Sequence, residues 1–353
     1  STVPDPRRNR LFAYGVALAL AVVLICYLYP LSFLAGHAAH FSMGDVPQHV
    51  AGWLLYAEDS WHFPLLKTTR IAPPEGISIV VTDSIPLAAL IFKPFAGLLP
   101  QGFHYFGLWH VVLRVSQALA AVYLIRSLGA TSIRAATTAA AIGLLWPPAL
   151  ARIDHTALGT HAVLLLALAF YFRALRDRWG ARRLTVAWGS LCILSLLIHP
   201  YLAAMVLAVF GACLCDVARR EASLLRPVVV AVCVGAGLLA VAFVGGYFGA
   251  GSVSVARGHF SMNLLAPFCG GGLTLCPAFD ATGGQQEGYN YPGSGALILL
   301  AAGLWVGRAH LAGTLGRYAA LAVVLVLLTV YAVSTHVFLG DRKLLEYNLP
   351  FGL

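Results

Sequence analysis

The sequence predicts an all-α membrane protein: a bundle of about nine transmembrane helices, with juxtamembrane or re-entrant helices in a long first external loop. Three observations predict it. Of 353 residues 59% are apolar and only 10% charged, with a mean hydropathy of +0.81, which is more apolar surface than a soluble core could bury. The apolar residues run in stretches that approach or exceed the roughly 20 helical residues that cross a bilayer. The basic residues gather at loop ends belonging to one side. A net charge of +9 would otherwise point to nucleic acid, and this one-sided placement excludes that partner in favour of the lipid bilayer.

The first span is residues 11–35, preceded by Arg7, Arg8 and Arg10. It is too long for the apolar part of a cleaved signal, so it reads as a retained helix with its basic flank in the cytoplasm. Residues 37–102 follow as an external loop. Within it Pro47 suits a first helical turn, and Gly44 with Asp45 suits the turn and cap before it, which predicts a short amphipathic helix over 47–56. Ser84 to Leu98 is apolar but only fifteen residues long, with a proline near each end and Lys93 inside. That length falls short of a span and suits an interfacial or re-entrant helix.

The remaining spans are 103–126, 134–150, 156–173, 184–198, 201–217, 227–248, 294–306 and 318–339. His199-Pro200 alone divides the fifth from the sixth. Residues 1–250 form one transmembrane module, 251–293 a glycine-rich external loop, and 294–353 two further helices with the start of an external segment. With 84–98 not spanning, fifteen of the 23 basic residues fall inside and seven outside, Arg114 being mid-span. The amino terminus is then cytoplasmic. Localisation follows as the inner membrane of a bacterium, multi-pass, with polar chemistry at the periplasmic face.

Ten of the fourteen carboxylates fall on that external side. Asp45, Gln48 and His49 share a helical turn; Asp83 closes the loop's second half; Arg152, Asp154 and His155 sit where spans three and four meet, with His161 beyond. His199 and Tyr201 open the junction of spans five and six. Asp45 read alone is also a plain helix cap, and Pro200 a plain helix break. The last external loop carries Tyr289, Asn290 and Tyr291, together with Cys269 and Cys276, the two cysteines outside the membrane, which an oxidising compartment would join. Zinc, nucleotide-loop and serine-hydrolase motifs are absent from the sequence.

A retained first helix, a long external loop bearing Asp45 just after the membrane exit, juxtamembrane helices with the Lys93-Pro94 element and short-looped spans together resemble the GT-C superfamily of integral membrane glycosyltransferases. The likeness covers roughly residues 7–250 and is architectural, with Gly44-Asp45 as its motif-like part. The chain is also similar to a group of bacterial multi-pass proteins that share its Thr82-Asp83-Ser84-Ile85-Pro86 and Asp154-His155 elements. The resemblance implies that Asp45 is the catalytic carboxylate. It also implies a polyprenyl-phosphate-sugar donor and a glycan, lipid or protein acceptor, with inversion at the anomeric carbon. The sequence lacks the second acidic pair of metal-dependent members, which leaves open a divalent cation such as Mg or Mn at Asp45.

Chemistry points the same way. A phosphate leaves as a stabilised anion, so one base suffices to take the acceptor's proton, unlike the carboxylate pair of a hydrolytic glycosidase. Arg70, Lys93, Arg152, His155 and His199 are the candidates to hold the donor phosphate. Gln48, His49, Asp83, Asp154, His161, Tyr201, Tyr289, Asn290 and Tyr291 are candidates for supporting or substrate-binding roles. Two other readings stay open. One is a flippase or transporter of lipid-linked glycans, which would use Arg114 and His161; the other is a non-catalytic membrane protein with histidine metal ligands.

Overall fold

A computed structural model describes residues 6–37, 45–249, 258–271, 274 and 276–347. The described residues are predominantly helical, and among them six helices are long and apolar enough to cross a membrane: Arg8–Leu28, Phe106–Ser127, Ala181–Ile198, Pro200–Glu221, Leu225–Gly245 and Ser294–Arg317. Contacts divide it into two compact units. The first comprises Ser1–Leu144 and Asp154–Gly251, the second Leu145–Ile153 and Ser252–Leu353.

In the first unit α1 (Pro6–Leu28) ends seven residues before the predicted limit of its span, because Pro30 removes a backbone donor and restarts the chain as α2 (Leu31–Leu34). The loop after α2 holds α3 (Val46–Ala57), the strands β1 (Lys67–Thr68) and β2 (Ile77–Ser78), and α4 (Pro86–Phe92). α3 and α4 carry proline in their first turns, where its missing N–H is no loss. From Lys93 to Leu98 the chain tightens into a 3-10 helix, so the predicted interfacial helix is a seven-residue α-helix with a short extension.

The bundle continues with α5 (Phe106–Ser127), α6 (Ile133–Leu144), α8 (Ala162–Arg176), α9 (Ala181–Ile198), α10 (Pro200–Glu221) and α11 (Leu225–Gly245); α7 (Pro147–Ala151) belongs to the second unit. The predicted span 134–150 is therefore broken. Pro147 and Pro148 cannot extend the hydrogen-bond ladder of α6, which stops after twelve residues. α8 begins six residues later than predicted, since residues 154–161 form turns. Ala13, Ala17 and Ala21, one turn apart on α1, pack with Ala118 and Val122 of α5 and Ala136, Ala140 and Leu144 of α6. Small side chains let the three backbones approach closely, as apolar helices in lipid require.

Arginines staple one end of this unit. Arg126 reaches the Asn9 carbonyl at 3.4 Å, Arg176 that of Ser127 at 2.8 Å and Arg220 that of Leu175 at 3.1 Å. The starts of α5, α8 and α10 and the finish of α9 lie at the other end.

In the second unit α12 (Ser294–Gly307) has no buried residue; a 3-10 turn and α13 (Leu311–Arg317) prolong it, and α14 (Ala319–Val333) buries only Leu321. The predicted span 318–339 overran its helix. Residues after Ser334 form an antiparallel hairpin, β3 (His336–Leu339) with β4 (Arg342–Glu346), turning at Gly340 with φ of 62°. Asn263 fastens that turn, donating to Gly340 O at 2.7 Å and accepting from Gly340 N at 3.0 Å. Cys269 and Cys276 are joined by a disulfide.

Candidate functional site

Five titratable side chains converge in the first unit at the end opposite the arginine staples. Asp45 stands immediately before α3 but makes no capping hydrogen bond with its carboxylate. Instead Oδ2 lies 3.7 Å from Nδ1 of His155, and the side chain is 58% exposed. One turn on, the His49 ring is buried at 1% exposure, its Nε2 3.9 Å from Oδ2 of Asp83. Oδ1 of Asp83 lies 3.2 Å from Nε2 of His199.

The position of Asp83 is fixed from several directions. Its backbone is left-handed, with φ of 53°, as is that of Ile85 at 52°. A residue other than glycine holds such a conformation only when its surroundings impose it. Ser84 Oγ donates to His49 O at 2.7 Å and exchanges a 2.8 Å hydrogen bond with Thr82 Oγ1, which contacts Ile79 O at 2.9 Å. The buried Tyr105 hydroxyl donates to Ser84 O. Gly52 makes the approach of α3 feasible, because a Cβ there would sit 2.3 Å from Thr82 Oγ1 and 2.4 Å from Ser84 Oγ.

Burial lowers the affinity of His49 for a proton, against the pull of Asp83 and Asp45, so the ring is held neutral at pH 7. For Asp83 burial acts to raise the pKa, yet the hydrogen bond from His199, aided by the other imidazoles around it, outweighs it and holds the carboxyl below its ordinary range. Asp83 is thus ionised at neutral pH.

Beneath the cluster runs a buried polar ladder. His110 Nε2 meets Thr156 Oγ1 at 3.2 Å, His110 Nδ1 meets the Tyr29 hydroxyl at 3.0 Å, and Arg114 Nη2 donates to that hydroxyl at 3.3 Å. Arg114 Nε and Nη1 have no hydrogen-bond partner among the described residues.

Within the first unit two other predicted phosphate ligands, Arg70 and Lys93, are not brought to this place. Arg70 pairs with Glu58 at 3.7 Å on an exposed stretch. Lys93 is buried; its Nζ donates to Tyr56 O at 2.8 Å and Ser60 O at 3.2 Å and lies 3.6 Å from the Tyr56 ring centroid. Arg152 belongs to the second unit and faces Glu287 at 3.6 Å. Of the supporting candidates, Gln48 is exposed, His161 occupies the cap of α8, and Asp154 keeps one buried oxygen, Oδ1, without a hydrogen bond among the described residues. Tyr201 is 60% exposed beside the His199 ring. Tyr289, Asn290 and the buried Tyr291 lie in the second unit, where Asn290 Nδ2 contacts the Met262 sulfur.

Lys93 thus acts as a clasp between α3 and α4. Replacing it with Met strands two carbonyls and is expected to lower stability by about 1–3 kcal/mol, read from thermal unfolding in detergent. The amine also carries a pH signature. Burial lowers its pKa from 10.5 to about 8, so between those values the unfolded chain binds the extra proton and wild-type stability rises with pH. The Lys93→Met protein lacks that rise.

Among the described residues no group of three or more His, Cys, Asp or Glu side chains is placed to hold a metal ion. Among the described residues Asp45 has one nearby co-ligand in His155, whereas Mg or Mn favour several oxygens.

The family described as Domain of unknown function (DUF6311) matches residues 18–353. The chain belongs to that family. No curated protein and no solved structure matches it. Membership of DUF6311 therefore assigns no activity. What sequence reasoning missed in this DUF6311 chain is the clamp of Gly52, Thr82, Ser84 and Tyr105; the hydroxyls flanking Asp83 were its one legible sign.

Proposed function

We propose that the protein is a membrane glycosyltransferase that moves a sugar from a polyprenyl-phosphate donor to a hydroxyl acceptor, with Asp45 as general base. The observation that carries this reading is the Asp45 carboxylate itself: it is unspent on helix capping, open to solvent and set beside His155 at 3.7 Å. Asp45 takes the proton of the acceptor hydroxyl as that oxygen attacks the anomeric carbon, and the lipid phosphate departs as an anion. His155 steadies the ionised base and, when protonated, offsets charge near the departing phosphate.

An apolar groove supports a lipid-borne donor. Leu65, Leu66, Leu90, Leu197, Ala240, Val241, Val244 and Gly245 line a cavity of about 260 Å³, suited to part of a hydrocarbon chain. Leu197 precedes His199 by two residues, and Leu90 lies on the helix that follows Asp83.

The proposed topology has nine spans, with the amino terminus in the cytoplasm and the site facing the periplasm of a bacterial inner membrane. It counts α6, α8 and α14 although each is shorter than a bilayer core. With them included, Arg126, Arg134, Arg173, Arg176, Arg219, Arg220 and Arg226 share the cytoplasmic side, as the positive-inside rule requires. The acceptor is a hydroxyl of a glycan, lipid or protein. Direct displacement inverts the anomeric centre, so the decisive experiment is the stereochemistry of the product. A retained configuration with a trapped glycosyl-enzyme would overturn the mechanism.

A further inference from the structure

His199 performs two tasks with one ring. It is the cap of α10, where its Nδ1 accepts the backbone N–H of Tyr201 at 3.1 Å. A ring nitrogen that accepts a hydrogen bond carries no proton, so the proton of the neutral ring is on Nε2. That Nε2–H faces Oδ1 of Asp83 at 3.2 Å. One carboxylate oxygen is therefore committed. The other, Oδ2, is approached by His49 Nε2 only to 3.9 Å, beyond hydrogen-bond reach. Among the described residues both nitrogens of His49 lack a hydrogen-bond partner although the ring is 1% exposed.

An oriented, ionised carboxylate with one open acceptor, beside a buried ring with unused nitrogens, calls for a neutral donor such as a hydroxyl. It is unsuited to phosphate, which Asp83 and Asp45 together would repel. Resting on the glycosyl-transfer reading, we propose that Asp83 Oδ2 binds a hydroxyl of the donor sugar and that His199, held as its Nε2–H tautomer, is the positioning residue for Asp83. This also withdraws His199 from phosphate binding, because its role requires the neutral ring.

Asn tolerates the left-handed backbone as Asp does, so Asp83→Asn preserves the loop while removing the charge. His199→Asn keeps an acceptor for the cap of α10 but cannot supply the same N–H to Asp83. The probes are farnesyl-phosphate-linked glucose and bare farnesyl phosphate, titrated against the full chain in detergent. Wild type is expected to prefer the glycosylated lipid. Asp83→Asn is expected to weaken that lipid about 10-fold or more, with bare farnesyl phosphate unchanged, and His199→Asn to lower the same preference by a smaller factor. Nitrogen-15 spectra of wild-type His199 should show the Nε2–H form.

A preference that survives intact in Asp83→Asn overturns this assignment alone. Equal weakening of both lipids overturns it too, as the mark of a purely structural residue. Equal binding of both lipids by wild type ends the glycosyl-transfer reading along with it. An Nδ1–H tautomer at His199 refutes the positioning role.

Discussion

Asp45→Asn is expected to reduce sugar transfer by about 10²–10⁴-fold while leaving the fold intact, the loss typical of removing a positioned base. The fold survives because the carboxylate caps nothing, is mostly exposed and has His155 as its near partner. Asn serves the start of α3 as well as Asp does. The measurement is transfer from a polyprenyl-phosphate sugar in reconstituted vesicles, with thermal unfolding alongside. A flippase gives a different pattern: lipid movement without transfer, unaltered by the substitution. Full transfer activity in Asp45→Asn would remove Asp45 from the chemistry.

The largest expected effect away from a titrating group is at Gly52. In Gly52→Ala the new methyl meets Thr82 Oγ1 at 2.3 Å and Ser84 Oγ at 2.4 Å, closer than non-bonded atoms approach. Both hydroxyls are engaged, with Ile79 O and His49 O, so relief breaks the bonds that hold Asp83 in its left-handed conformation. Overpacking of this kind costs about 1–3 kcal/mol, and binding that depends on Asp83 should fall with it. Gly97→Ala is the control, since a Cβ there meets nothing within 4 Å. Equal stability and activity in the two variants would show that the clamp is dispensable.

What could be read from the sequence was what local chemistry decides. Pro47 marked the start of α3 because proline belongs in a first turn. His199-Pro200 marked the boundary between α9 and α10 because proline breaks a helix. The apolar runs that became long helices were evident from length alone. Errors arose where apolar content outweighed punctuation. Pro147-Pro148 stood inside a presumed span, and the apolar run up to Leu339 was carried past the end of α14 into what is strand β3.

The site was legible as a set of residues but not as an arrangement. Asp45, His49, Asp83, His155 and His199 come from separate stretches, and nothing in their spacing says that they meet. The backbone of Asp83 is set by Tyr105 and Gly52, each more than twenty residues away. Lys93 and Arg70 were credited with binding phosphate for their charge, whereas burial under aromatic rings and pairing with Glu58 occupy them elsewhere.

Because α9 finishes and α10 starts on a single imidazole that also grips a carboxylate, those two rods and that charge are geared together. Any hinge motion at Pro200 that tilts one rod against the other must swing the ring, and the swing is transmitted to the anion at 3.2 Å. Bilayer thickness, which governs how steeply such rods lean, thereby becomes a mechanical input to the polar cluster.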